Sequence, residues 1–113
     1  MMDEALAEQV LRAVELVPTG RVATYGDIAA IVGIGPRHVG NVLARWGHGV
    51  PWWRVTNSKG ELPSSLLAQA LPHWEAEGIP TKPPGGGCRI GDCRADLPAL
   101  EKQWTRSIAD IID

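Results

Sequence analysis

The segment from Thr24 to Trp46 restricts the fold more than any other part of the chain. Thr24 offers a side-chain acceptor that suits the N-cap of a helix over Tyr25 to Val32. Gly33-Ile34-Gly35 then forces a tight turn, and Pro36 fits the first turn of a second helix that runs to about Trp46. In that helix Val39, Val42, Leu43 and Trp46 recur on one face, leaving Arg37, His38, Asn41 and Arg45 outside. Two short helices about a glycine turn, the second polar outward, predict a helix-turn-helix. An ordinary helical hairpin has the same periodicity.

The flanking chain completes a small domain. Asp3 can cap a first helix through about Val17, with Leu6, Val10, Val14 and Val17 as its apolar stripe. Pro18-Thr19-Gly20 ends it, and Arg21-Val22-Ala23 is a short extended lead-in. After Gly47-His48-Gly49, the aromatic and β-branched run Val50 to Thr56 predicts a strand. Asn57-Ser58-Lys59-Gly60 is a turn, from which Glu61-Leu62 returns as a second strand. Ser64 caps a helix through about Leu71, and Pro72 restarts or kinks it up to Glu77-Gly78. The expectation is a mainly α fold with a small β-hairpin, a winged helix-turn-helix-like domain over residues 1–79. Residues 80–113 form a Gly/Pro-rich loop and a C-terminal segment packed on the same domain, through the stripe Leu97, Leu100, Trp104, Ile108 and Ile111. At 113 residues, 44% of them apolar, the chain can fill one modest core.

Charge is distributed unevenly. The net charge of -2 argues against a nucleic-acid partner, yet Pro36 to Gly60 holds Arg37, Arg45, Arg54 and Lys59 and not one Asp or Glu. Screening limits distant acids to a reach of about 8–10 Å, so a local basic face still attracts phosphate. A solvated basic surface is the plainer alternative. No apolar run approaches the roughly 20 residues that span a bilayer. The start Met1-Met2-Asp3-Glu4 lacks the basic and apolar stretches of a secretory signal, so a cytoplasmic protein is expected, nucleoid-associated if bacterial, with no membrane partner. Cys88 and Cys93 form a lone C-x4-C pair without a nearby His. Free thiols are expected, with no metal and no cofactor, although a metal or redox role is the alternative.

Three stretches carry a family resemblance: Val22-Ala23-Thr24-Tyr25-Gly26-Asp27-Ile28-Ala29, Arg37-His38-Val39-Gly40 and Pro51-Trp52-Trp53-Arg54-Val55. In this order they resemble the DNA-binding domain of the O6-alkylguanine-DNA alkyltransferases, over roughly residues 5 to 79. That family carries Pro-Cys-His-Arg-Val, whose cysteine accepts the alkyl group. With Trp52 at the cysteine position and Trp53 at the histidine position, the chain is similar to the alkyltransferase-like proteins, which bind alkylated guanine without dealkylating it. Those proteins more often have His or Gln where this chain has Trp53. The resemblance implies double-stranded DNA containing O6-alkylguanine as partner, a hand-off to nucleotide excision repair proteins, and a protein that acts as a monomer.

The resemblance also implies roles. Arg37 is similar to the family's arginine finger, which fills the gap left by a flipped nucleotide; a phosphate contact is the alternative. Tyr25 resembles the tyrosine that crowds the target 3′ phosphate, and its alternative is a half-buried core Tyr. Trp52 is assigned to the lesion pocket. If the strand is regular, Trp53 faces the other way, toward core or rim. Arg54 and Asn57 brace the segment through backbone hydrogen bonds. The expected DNA-binding set is therefore Tyr25, Arg37, His38, Asn41, Arg45 and Lys59, and the expected pocket set is Tyr25, Trp52, Arg54, Val55 and Asn57. Glu77 resembles the glutamate ending the family's catalytic relay and is left here as a structural acceptor.

Loss of alkyl transfer also follows from chemistry, since transfer needs a thiolate or similar nucleophile and indole is none. Stacking a base on an aromatic ring contributes about 1–3 kcal/mol whatever the base. Burying a methyl group adds only about 0.8 kcal/mol, so cheaper extrusion of a weakly paired base must supply part of any selectivity. The expected function is non-enzymatic recognition of O6-alkylguanine. The alternatives are a winged-helix module reading undamaged DNA through Arg37, His38 and Asn41, an enzyme using Cys88 or Cys93, and a protein-interaction domain.

Overall fold

The computed structural model describes residues 4–83 and 85–110; the expected cap Asp3, Pro84 of the loop and Ile111 of the C-terminal stripe lie outside them. Helix α1 spans Glu4–Leu16 and buries Ala7, Val10, Ala13 and Val14. A two-residue strand β1, Ala23–Thr24, leads into α2, Tyr25–Val32. Thr24 caps α2 as expected and reciprocally: its Oγ1 accepts from the Asp27 N–H, while the Asp27 carboxylate accepts from the Thr24 N–H, both at 2.9 Å. Gly33 closes α2 at φ 92°, where a side chain is strained. Helix α3, Pro36–Trp46, begins with proline in its first turn and buries Val39 and Val42. This is the helix-turn-helix.

Here the chain departs from the expected wing. Trp52–Arg54 is a 3-10 turn rather than a strand, closed by the Arg54 N–H on the Pro51 carbonyl at 3.0 Å. Strand β2, Val55–Thr56, pairs in parallel with β1, in register Ala23 with Val55 and Thr24 with Thr56. No hairpin forms because Asn57 diverts the chain: its side-chain oxygen accepts from the Lys59 and Glu61 N–H groups at 2.9 and 2.8 Å. A single rung, Asn57 N–H to the Glu61 carbonyl, remains of the return strand, and Pro63 interrupts what would follow.

Helix α4 runs unbroken through Ser64–Glu77, so Pro72 neither ends nor restarts it. Proline forfeits a hydrogen bond to Ala68, and both residues are exposed, where water can satisfy the freed carbonyl. A short helix α5, Ile90–Cys93, was not foreseen. Helix α6, Leu97–Ser107, lies along α1, with Leu100, Trp104 and Ile108 buried. The Trp104 indole N–H donates to the Gln9 carbonyl at 2.8 Å, and Arg12 donates to the Ser107 carbonyl at 2.7 Å.

Two buried clusters result. The first joins α1, α2, α3 and α6 through residues such as Val10, Val14, Ile28, Val39, Val42, Leu100 and Trp104. The second gathers Val22, Leu62, Ala70, Trp74, Ile79, Cys88 and Cys93. Tyr25 packs against both.

Candidate functional site

Where the two clusters meet, a cavity of about 150 Å3 opens between α3 and α4. Tyr25, Gly40, Leu43, Ala44, Gly47, His48, Trp52, Leu66 and Gln69 line it. Its lining is mostly apolar, as suits the face of a flat ring. Tyr25 reaches it from the start of α2, and burial pushes its hydroxyl pKa up, so it stays a neutral hydrogen-bonding group. Gly40 sits mid-helix, and a Cβ there would meet nothing within 4 Å. Its small size leaves α3 open to close approach at the mouth.

The Trp52–Arg54 turn is pinned by polar contacts. The Trp53 indole N–H donates to Glu77 Oε2 at 2.7 Å, and the Trp53 carbonyl accepts from the Trp74 indole N–H at 2.7 Å. Arg54 pairs with Glu77, Nη2 to Oε2 at 2.8 Å, and donates from Nη1 to the Val17 carbonyl at 3.0 Å. The same carboxylate accepts from the Gly20 N–H at 2.9 Å. Burial alone would raise the Glu77 pKa, but Arg54, Gly20 and Trp53 together hold it below the usual carboxylate range. One glutamate thus ties the end of α4 to the loop after α1 and to the Trp turn.

Of the five expected pocket residues, the structure brings Tyr25 and Trp52 together in the cavity. Arg54 points away from it, into the Glu77 knot. Val55 is fully buried in the first cluster, and Asn57 organises the exposed turn beyond β2. Trp53 does not line the cavity. It stands beside Trp52, ring centroids 5.8 Å apart at 84°, and within the 3-10 turn its indole is held by Glu77. His48, Leu66 and Gln69 were missed. The two α4 residues lie three apart on one helical face, a signal present in the sequence but without anything to say what that face meets.

On α3, Arg37, Gly40, Asn41 and Ala44 occupy one face, running from the first turn toward the cavity. Arg37 and Asn41 are exposed, and Arg37 makes no ion pair among the described residues. His38 and Arg45 share a flank of the helix, Arg45 lying over the Trp46 ring at 5.0 Å. Lys59 stands apart in the Asn57 turn, its carbonyl accepting from Lys82 Nζ at 2.8 Å. Asp27, expected only as part of a motif, is bound by Arg94, which ties α2 to the C-terminal segment. Burial opposes its ionisation, but Arg94 and Thr24 hold its pKa low.

Both thiols are free and buried in the second cluster, away from the cavity lining. Burial and the neighbouring Cys93 push Cys88 up to about 12, and burial raises Cys93 as well. Such thiols are almost wholly protonated at neutral pH and weak as nucleophiles. Among the described residues, no group of three or more potential metal-ligating side chains comes together.

Over residues 5–78 the chain matches the family described as 6-O-methylguanine DNA methyltransferase, DNA binding domain. It is 40% identical over 86 residues to a DNA base-flipping protein of Vibrio parahaemolyticus, an alignment covering 69% of this chain and 83% of the relative. A DNA base-flipping protein of Escherichia coli is 38% identical over 64 residues, covering 53% of this chain and 50% of that protein. Among solved structures, S. pombe Atl1 in complex with damaged DNA containing O6-carboxymethylguanine superposes with a TM-score of 0.66 at 30% identity. That match covers 88% of this chain and 96% of the other. S. pombe ATL in complex with DNA matches over the same shares at 0.62 and 29%.

Proposed function

Because this chain belongs to the family of the 6-O-methylguanine DNA methyltransferase DNA-binding domain, we propose that it binds duplex DNA, flips an O6-alkylated guanine into the Tyr25–Trp52 cavity, and leaves the alkyl group in place. The observation that carries this reading is an indole, Trp52, in the wall of a mostly apolar cavity whose lining contains no thiol. Face-to-ring contact with Trp52 and Tyr25 can hold a planar base, while nothing in the lining has the character of a thiolate.

The exposed face of α3 supports the docking step. Arg37, exposed and without an ion pair among the described residues, enters the stack as the flipped base leaves, and its planar guanidinium stacks on the neighbouring bases. Gly40 and Ala44 let the helix lie close to the duplex. Asn41, His38, Arg45 and Lys59 supply surrounding polar and phosphate contacts. Side chains wedged into a base step bend the duplex, and a bent, occupied lesion is a mark that nucleotide excision repair proteins can read. The relatives named DNA base-flipping protein and the neighbour holding O6-carboxymethylguanine DNA accord with the first two steps; the hand-off rests on family resemblance.

A tryptophan fluorescence titration tests the proposal with three duplexes, carrying guanine, O6-methylguanine or a bulkier O6 adduct. The adduct duplexes should bind more tightly and quench more strongly, with the adduct recovered intact by mass spectrometry. Arg37→Ala should weaken binding to the lesion duplex by about tenfold or more. Equal affinity for all three duplexes, or alkyl groups found on the protein, would overturn it.

A further inference from the structure

Trp52 is the pocket wall, yet among the described residues no hydrogen bond holds its indole. Its orientation depends on packing, against the second buried cluster and against two rings: Trp53, edge-on at 5.8 Å, and His73 of α4, edge-on at 6.3 Å and 77°. His73 in turn lies flat on Trp53, centroids 3.6 Å apart and 7° from parallel. Trp53 cannot drift, because its indole N–H is held by Glu77 and its carbonyl by Trp74. His73 stands one helical turn before Glu77 and one after Gln69, which lines the cavity, so α4 presents cavity wall, stacked ring and anchor in sequence.

We propose that His73 and Trp53 form a stacked buttress that sets the pose of Trp52, making both of them positioning residues for the flipped base. The second Trp of the pair then acts from behind the cavity: pinned by Glu77 and Trp74 and covered by His73, it presents a fixed edge against which the Trp52 ring rests. A free indole at this place would sample several rotamers, and each would change the shape of the cavity. Edge and face contacts between rings of this kind fix orientation as well as adding affinity.

The proposal has one test in the DNA-free protein and one that rests on the lesion-binding reading. His73 is exposed, so its replacement leaves the core intact. In His73→Ala the Trp52 indole N–H resonance, assigned by comparison with Trp52→Phe, should shift and broaden. His73→Phe, which keeps a flat ring on Trp53, should restore the wild-type position. In fluorescence titrations, His73→Ala should bind the O6-methylguanine duplex about threefold to tenfold more weakly, the range such ring contacts contribute. Its binding to the unmodified duplex should be unchanged, and His73→Phe should recover the loss. An unmoved Trp52 resonance in His73→Ala, or His73→Phe behaving as His73→Ala, would overturn the buttress. A wild-type protein that fails to prefer the lesion would sink the functional reading instead, while the resonance of Trp52 still decides this one.

Discussion

The two buried clusters hold together by different means. Around α1, α2, α3 and α6 the burial is shared by many apolar side chains at helical spacing. Around α4, the Trp turn and the tail, a smaller apolar cluster is joined by the Glu77 ties and one close backbone crossing. At that crossing Gly60 and Gly87 have φ of 78° and 92°, and the Cys88 N–H donates to the Gly60 carbonyl at 2.8 Å. A Cβ on Gly60 would run into the Cys88 carbonyl oxygen. Distributed burial tolerates small changes, whereas a half built from single knots fails at whichever knot is cut. The cavity lies on the seam and takes one wall from each half.

Glu77→Ala should break this contrast hardest. It strands Arg54, only 14% exposed, together with the Trp53 and Gly20 donors. Removing one partner of such a pair costs about 3–5 kcal/mol, read from the urea midpoint. Gly60→Ala should follow at about 2–3 kcal/mol, from left-handed strain plus the clash. Gly85→Ala, at φ 69° with open space around it, sharpens the comparison: it should lose only about 1 kcal/mol. Equal losses at the two glycines would remove the close crossing as a source of rigidity.

Acid gives the smallest and most general effect. Asp27 and Glu77 both have folded pKa values below their unfolded ones. The stability they add is therefore complete above about pH 4, where unfolded carboxylates are ionised, and is lost as pH falls through the lower folded values. Urea midpoints should be level near neutrality and drop toward pH 3, with a shallower drop in Glu77→Gln. A Gln variant as acid-sensitive as the wild type would remove the Glu77 knot from the account.

The same contrast explains what could be read without coordinates. Helices α2 and α3 fall where Thr24, Gly33 and Pro36 place them, because caps and glycine turns are local instructions. The α6 stripe likewise finds α1 by simple amphipathic burial. The Trp turn was misread as a strand because aromatic and β-branched residues favour extension, while Pro51 and the Trp74 and Glu77 contacts that bend it are remote or subtle. Cavity residues Leu66 and Gln69 stayed hidden for a related reason: only the long-range docking of α4 turns them toward Tyr25. Arg54 braces the Trp turn chiefly through a carboxylate 23 residues away, beyond the range of any local pattern.

The parallel rung between Ala23–Thr24 and Val55–Thr56 is only two residues long, yet Tyr25 follows one strand directly and the Trp turn ends where the other begins. That rung splices the backbones that carry Tyr25 and Trp52, while the pose of the Trp52 ring is left to its packing. A guest entering such a slot finds its gauge already cut, so little of its binding free energy goes into drawing the two sides together.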